Sequence, residues 1–231
     1  MKKIGIITAM TEEFDVIKEL MTNVSIIQKY DLKFNCGMIE EKEVVLVKCG
    51  VGKVNSARTT QMLIDNFDLD YIINVGVAGS LNDNLEIGDI VIGEKLVQHD
   101  FDITAGGHPK GYISKELGRE FYSNEGIIRK CEKIIKDDLK EINIKIGTIA
   151  TGDVFCYQVS MKEEIVREFS ADCVEMEGAA IAQVCTLCNI PFIVVRSISD
   201  KPNGHNNIDF EKYVVSSSKK FSKLIELLIK Q

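Results

Sequence analysis

The sequence predicts an α/β fold organised around a mainly parallel sheet. Short β-rich runs alternate with segments of helical periodicity along all 231 residues, the pattern of strands linked by crossover helices. Hydrophobic residues make up 45% of the chain, enough to bury a substantial core. No internal repeat and no low-complexity linker interrupts the alternation.

Lys3–Thr8 (KIGIIT) reads as a buried first strand, and Glu12–Met21 as an amphipathic helix behind it. Phe34–Ile39 and Val44–Lys48 form a strand pair across the polar turn Glu40–Glu43. Val54–Phe67 is helical, and Tyr71–Val75 (YIINV) and Asp89–Ile92 are strands. Asn124–Leu139 is a lysine-rich surface helix, Ile144–Ala150 a strand, Lys162–Phe169 a short helix and Asp172–Met176 a strand. Gly178–Cys188 is a helix, Phe192–Ile198 (FIVVRSI) a strong strand, and Phe210–Lys230 the closing helix. Asp100–Ser123 is the longest irregular stretch, which marks it for function or for an interface.

Charge and composition exclude several classes. The net charge of −7 is spread along the chain without a basic stripe, which argues against nucleic acid and anionic membranes as partners. No apolar run is long enough to span a bilayer. The N-terminal MKKIGIITAM reads as a first strand rather than a targeting segment, because Thr11, Glu12 and Glu13 stand where a cleavage region belongs. The seven cysteines are scattered, and Cys185-x-x-Cys188 lacks the two further ligands of a structural zinc site. Buried, reduced thiols and a cytoplasmic location are the expectation. His99, Asp100 and Asp102 are metal-like in type but too short a run for a coordination shell. No metal and no cofactor is expected.

In open α/β sheets ligands bind beyond the carboxyl ends of the strands. Those ends carry Ala9-Met10-Thr11-Glu12-Glu13, Gly76-Val77-Ala78-Gly79-Ser80, Thr151-Gly152-Asp153-Val154-Phe155, Glu177-Gly178 and Ser199-Asp200 with the turn Lys201-Pro202-Asn203-Gly204. Acids, an aromatic ring and glycine loops would thus converge on one rim. Gly50–Asn55 (GVGKVN) is not a phosphate loop, since Val47 and Val54 stand where a Walker motif needs Gly and a hydroxyl. Nor is it a dinucleotide fingerprint, since Asn55 replaces the last Gly.

Each acid has a structural and a functional reading. Glu12 and Glu13 follow Thr11, a candidate N-cap, and suit the positive end of a helix. They also repel an anionic ligand. Glu175 and Glu177 alternate with Met176, so a strand there turns both to one side. One of them caps the next helix, or a carboxylate there accepts from both hydroxyls of a sugar cis-diol. Arg196 reads structurally as the counter-ion of Glu177. Asp200 is either a turn former or a functional acid.

IGIITAMTEE, KCGVGKVNSA, NVGVAGSL with LEIGDIV, TGDVF, CVEMEGAAIA and VVRSISD occur in this order over nearly the whole chain. Together they resemble the 5′-methylthioadenosine/S-adenosylhomocysteine nucleosidases of the purine nucleoside phosphorylase fold. The resemblance implies one domain over residues 1–231, a three-layer α/β/α sandwich with a mixed, mainly parallel, partly barrel-like sheet. It implies a homodimer acting on a small adenine nucleoside. By motif position Glu13 is implied as the base that activates water and Asp200 as the acid that protonates adenine N7. Glu177 would bind the ribose diol beside Met176, with Glu175 as its helper or a cap. Phe155 would stack on adenine and the Cys156 backbone would meet its edge. Arg196 and Ser199 would support Glu177 and Asp200. Met10, Val51, Val77, Ala78, Gly79 and Phe210 complete the implied substrate-binding set.

Chemistry then suggests hydrolysis of the N-glycosidic bond. Positive charge builds on the sugar as adenine leaves, and carboxylates stabilise it. Asp200 must start protonated, which burial favours, and Glu13 must start ionised, as in inverting glycosidases. The five arginines are Arg58, Arg119, Arg129, Arg167 and Arg196, and none lies in the first strand-end loop or in GVAGSL, where a phosphorylase would hold phosphate. A phosphorylase, an aminofutalosine-type nucleosidase and a non-catalytic nucleoside-binding module are the alternatives. Two positions depart from the family pattern: Val77 where many relatives have Ser, and Gly106 where relatives often have an aromatic covering the 5′ end of the substrate. Tolerance of bulk at the 5′ position follows from Gly106.

Overall fold

The computed structural model describes residues 3–140, 142–201 and 206–231. In chain order the strands are β1 (Lys3–Thr8), β2 (Thr22–Lys29), β3 (Leu32–Ile39), β4 (Lys42–Lys48), β5 (Tyr71–Ser80), β6 (Ile90–Gln98), β7 (Glu120–Tyr122), β8 (Ile144–Thr151), β9 (Cys173–Glu175) and β10 (Phe192–Asp200). The helices are α1 (Thr11–Lys18), α2 (Lys53–Asn66), α3 (Glu125–Asp138), α4 (Val159–Phe169), α5 (Gly178–Leu187) and α6 (Asn206–Lys230).

β5 is the hinge of a single mixed sheet. It pairs in parallel with β10, β10 with β6, β6 in parallel with β8, β8 in parallel with β9, and β9 returns antiparallel to β5. These five strands close into a barrel, which removes their open edges. On its other side β5 pairs in parallel with β1, which starts an open arm through β4 and β3 to β2.

Alternation along the strands sends successive side chains to two different cores. Ile4, Ile6, Ile73, Ile193 and Val195 pack with Ile17 of α1, Ile134 of α3 and Phe221 and Ile225 of α6. Ile7, Ile72, Val91 and Val194 pack with Leu63 of α2 and Ile181 and Cys185 of α5. Both faces of the sheet are therefore covered by helices, which is why the central strands read as nearly continuous apolar runs.

Several elements differ from the sequence reading. β2 carries no core face, since all its residues are exposed, so it lacks the hydrophobic pattern of a strand and exists through its ladder with β3. β5 continues through the glycine-containing Gly76–Ser80 because β10 and β9 pair with that stretch from both sides. β6 runs on to Gln98 across a register shift between Gly93 and Lys95. The stretch Asp100–Ser123 is irregular as expected, apart from a 3-10 turn at Thr104–Gly106 and β7. Met10, not Thr11, is the N-cap residue of α1; the Thr11 hydroxyl accepts from Lys48 Nζ at 2.9 Å. The Pro202-Asn203-Gly204 turn lies outside the described residues.

Candidate active site

The carboxyl ends of β1, β5, β8, β9 and β10 surround a cavity of about 280 Å³. Glu13 enters it from the first turn of α1 and is 2% exposed. Its Oε2 accepts from the N–H groups of Ala9 and Met10, both at 2.9 Å, and its Oε1 from the N–H of Val77 at 3.0 Å. Burial pushes its pKa up, while Arg196 and these three donors pull it back towards the ionised form. Gly76 makes this approach possible: a Cβ there would stand 2.8 Å from Glu13 Oε1. Glu12 points to solvent.

The two glutamates of the VEME run separate in role. β9 ends at Glu175, and Glu177 takes the N-cap position of α5, with φ −133° and ψ −40°. The expectation of one strand presenting both acids on one side is therefore corrected: the backbone turns into a helix between them. Glu175 accepts from the N–H of Glu177 at 3.0 Å and of Gly178 at 2.7 Å, and it also binds the Thr151 hydroxyl and the Arg196 guanidinium. It is a helix cap and the close partner of Arg196. Glu177 stands 4.0 Å from Arg196 Nη2, so the reading of Arg196 as counter-ion chiefly of Glu177 is also corrected. Glu177 Oε1 accepts from the Gly52 N–H at 2.9 Å. Burial, and next the charge of Glu175, push its pKa up to about 8.

Arg196 is 1% exposed and lies beneath the cavity rather than on its wall. It donates to Asn74 Oδ1 at 2.6 Å, and Asn74 in turn donates to the Ile7 carbonyl at 3.0 Å. Burial opposes its charge, and Glu175, Glu177 and Glu13 more than restore it. One guanidinium thus faces three carboxylates. The excess negative charge suits a ligand that develops positive charge.

Asp200 ends β10 on the cavity wall and is 2% exposed. The Ser199 hydroxyl donates to its Oδ1 at 2.8 Å. The pairing of β10 with β5 shifts register between Ile198 and Asp200, an irregularity of the kind that re-aims a side chain. Phe155 and Phe210 meet edge to face, with centroids 5.9 Å apart and an interplanar angle of 79°. Burial, then Asp200, push the neighbouring Cys156 thiol up to about 11, so it stays neutral.

The cavity brings together Glu13 and Asp200 with Met10, Val51, Val77, Ala78 and Gly79. Phe155, Cys156, Glu175, Met176, Glu177, Ser199 and Phe210, also singled out in the sequence, line it too, whereas Arg196, expected in the same set, lies beneath it. Sequence reasoning placed Ala9, Thr151 and Val154 at the rim without giving them a role, and it missed Val174 on the wall and Gly52 and Asn74 behind it. Gly52 and Val174 lay inside quoted motifs, so position was a signal for them. Asn74 had one in being polar within the apolar YIINV. Among the described residues the wall carries no lysine or arginine side chain. His99, Asp100 and Asp102 border a second pocket together with Lys110, and both carboxylates are engaged there: Asp102 accepts from Thr104, and Asp100 from Lys53 and Asp153.

A profile of the phosphorylase superfamily matches residues 3–230. The chain belongs to that superfamily. Within it the chain falls among the 5′-methylthioadenosine/S-adenosylhomocysteine nucleosidases. It is 41% identical to the one from Staphylococcus haemolyticus over 98% of this chain and 99% of the relative. Among solved structures, the Helicobacter pylori nucleosidase in complex with a substituted pyrrolidin-3-ol superposes with a TM-score of 0.95 at 35% identity, covering 99% of this chain and 98% of that one. A futalosine hydrolase of Helicobacter pylori superposes with the same TM-score at 35% identity, covering 99% and 97%. Both structures share the fold described above. No helix among the described residues is long and apolar enough to cross a membrane.

Proposed function

We propose that the protein hydrolyses the N-glycosidic bond of 5′-methylthioadenosine and S-adenosylhomocysteine, and of 5′-deoxyadenosine as well, releasing adenine and the 5′-substituted ribose. Adenine lies against Phe155 with its edge at the Cys156 backbone. Glu177 accepts from the ribose hydroxyls, and Met10, Val51 and Phe210 border the 5′ group. Asp200 delivers a proton to N7 as the bond from the ribose anomeric carbon to N9 breaks and its electron pair passes to the purine. Water adds to the anomeric carbon and gives its proton to Glu13. The negative charge of Glu13 and Glu175, in excess over the one arginine, stabilises the cationic sugar between these steps, and Glu177 holds the ribose hydroxyls.

The observation that carries this reading is the meeting of Glu13 and Asp200 in one cavity whose wall, among the described residues, carries no lysine or arginine side chain. Glu13 sits in three N–H donors that favour a carboxylate, and Asp200 sits with Ser199 on the wall of the same cavity. A phosphate co-substrate would meet carboxylates there. The test is release of the free base, adenine from methylthioadenosine, S-adenosylhomocysteine and aminofutalosine and hypoxanthine from inosine, each with and without phosphate. Release from the first two without phosphate is expected. Release that requires phosphate, or from inosine alone, contradicts it. Aminofutalosine is included because a structure of the same shape is named a futalosine hydrolase; preference for it would move the assignment to that substrate.

A homodimer and a cytoplasmic location complete the proposal. Val51, Val54, Val154, Phe155 and Tyr157 stand exposed near the cavity mouth, an apolar surface that a second copy would cover. The Asp100–Ser123 stretch is the further candidate contact, with Gly106 in its 3-10 turn. The seven cysteines form no disulfide, as suits a reducing compartment.

A further inference from the structure

We propose that Lys53, Asp100 and Asp153 form a positioning clamp that ties the ribose-binding Glu177 to the loop carrying Phe155 and Cys156, so that both halves of the nucleoside are held as one unit. This rests on the reading of the cavity as a nucleoside site.

Lys53 is the first residue of α2, and its backbone N–H donates to Asp153 Oδ1 at 2.7 Å. Its ammonium donates to Asp100 Oδ1 at 2.6 Å and to Gln98 Oε1 at 3.1 Å. The Asp153 N–H donates to Asp100 Oδ2 at 2.9 Å. The bonds close a ring through the ends of β6 and β8 and the start of α2. One residue before Lys53, the Gly52 N–H holds Glu177; two and three residues after Asp153 come Phe155 and Cys156.

The start of α2 explains why the ring exists. Helix N-termini leave backbone donors unsatisfied, and a side chain at the N-cap normally takes one. Gly52 holds the N-cap position with φ +100° and has no side chain to offer. Asp153 supplies the carboxylate from 100 residues away in sequence. A Cβ at Gly52 would approach Asp153 Oδ1 to 3.1 Å, so the glycine also makes room for it. The purine-side loop therefore caps the helix whose first turn orients the ribose-side donor. Asp100 completes the arrangement by accepting from both partners: burial opposes its charge, and Lys53 and the Asp153 N–H outweigh it. As a stabilising ion pair alone, Lys53–Asp100 is partly exposed, at 18% and 22%, and pairs of that kind contribute little. Its place between two substrate-holding loops is what gives it a function.

Asp100→Asn tests this. The new amide can accept at one oxygen only, and its nitrogen faces a donor, so one bond of the ring is lost. Steady-state kinetics with methylthioadenosine and hydrogen exchange on the intact protein are both read. KM should rise about tenfold with kcat changed less than about threefold, the mark of lost uniform binding. Amide exchange should quicken together in residues 50–56 and 152–158, with β5 and β10 unchanged. Lys53→Met should behave alike, and Lys53→Arg, which keeps the donor, should recover most of the loss. Exchange that quickens in one loop only or in neither, or an unchanged KM, overturns the clamp. If Asp100→Asn does not fold, the lysine pair is judged by the same two readouts. If the wild type releases no adenine, the nucleosidase reading falls, and hydrogen exchange still decides the clamp.

Discussion

Glu175 commits both oxygens inside the protein, to Thr151, Arg196 and two N–H groups of α5, whereas Glu177 Oε2 has Arg196 only at 4.0 Å. The difference predicts opposite outcomes for the same substitution. Glu175→Gln breaks a buried pair, which costs about 3–5 kcal/mol, so thermal melting should show a drop of roughly 10 °C. Glu177→Gln should leave the empty protein as stable or more so while nucleoside affinity falls. The pH dependence has a definite sign. Glu177 is raised to about 8 in the folded state from an ordinary value of 4.5, so its contribution to stability is whole below pH 4.5 and lost as pH rises through 8. The melting advantage of Glu177→Gln over wild type should grow between pH 5 and pH 9; an advantage that shrinks with pH contradicts this. Glu13→Gln and Asp200→Asn each remove one proton-transfer group and should lower kcat by about 10²–10⁴-fold, measured by adenine release.

β5 shows how a strand's composition serves a neighbour's chemistry. Gly76 lets Glu13 lie against the strand and reach the Val77 N–H. Gly76→Ala should keep the fold and lower kcat by about a hundredfold, the scale expected for an ångström-sized misplacement of a reacting group; near-wild-type turnover would show that Glu13 tolerates the shift. Much of this level was legible in the sequence. β1, β4 and β10 announced themselves through apolar runs, and the strand ends named the acids. β2 was silent because it buries nothing. Glu177 was legible as an acid near a helix start, yet its separation from Glu175 was not, because the chain turns at Met176 and alternation no longer applies. The partnership of Arg196 with Glu175 and Asn74 depends on how three strands stack, which no single segment records.

At the scale of the whole molecule, barrel closure decides where chemistry happens. Closing β5, β10, β6, β8 and β9 brings residues from Glu13 to Asp200 to the carboxyl ends of neighbouring strands, although 187 positions separate these two along the chain. Helical layers cover both faces of the strands whose ends carry the acids. Negative charge then gathers around one buried guanidinium, and this favours water over phosphate as the attacking group. The most direct measurement is the mass of the sugar product formed from methylthioadenosine in phosphate-rich buffer. Free 5-methylthioribose alongside adenine is the predicted result; 5-methylthioribose 1-phosphate, formed only when phosphate is present, would contradict the account.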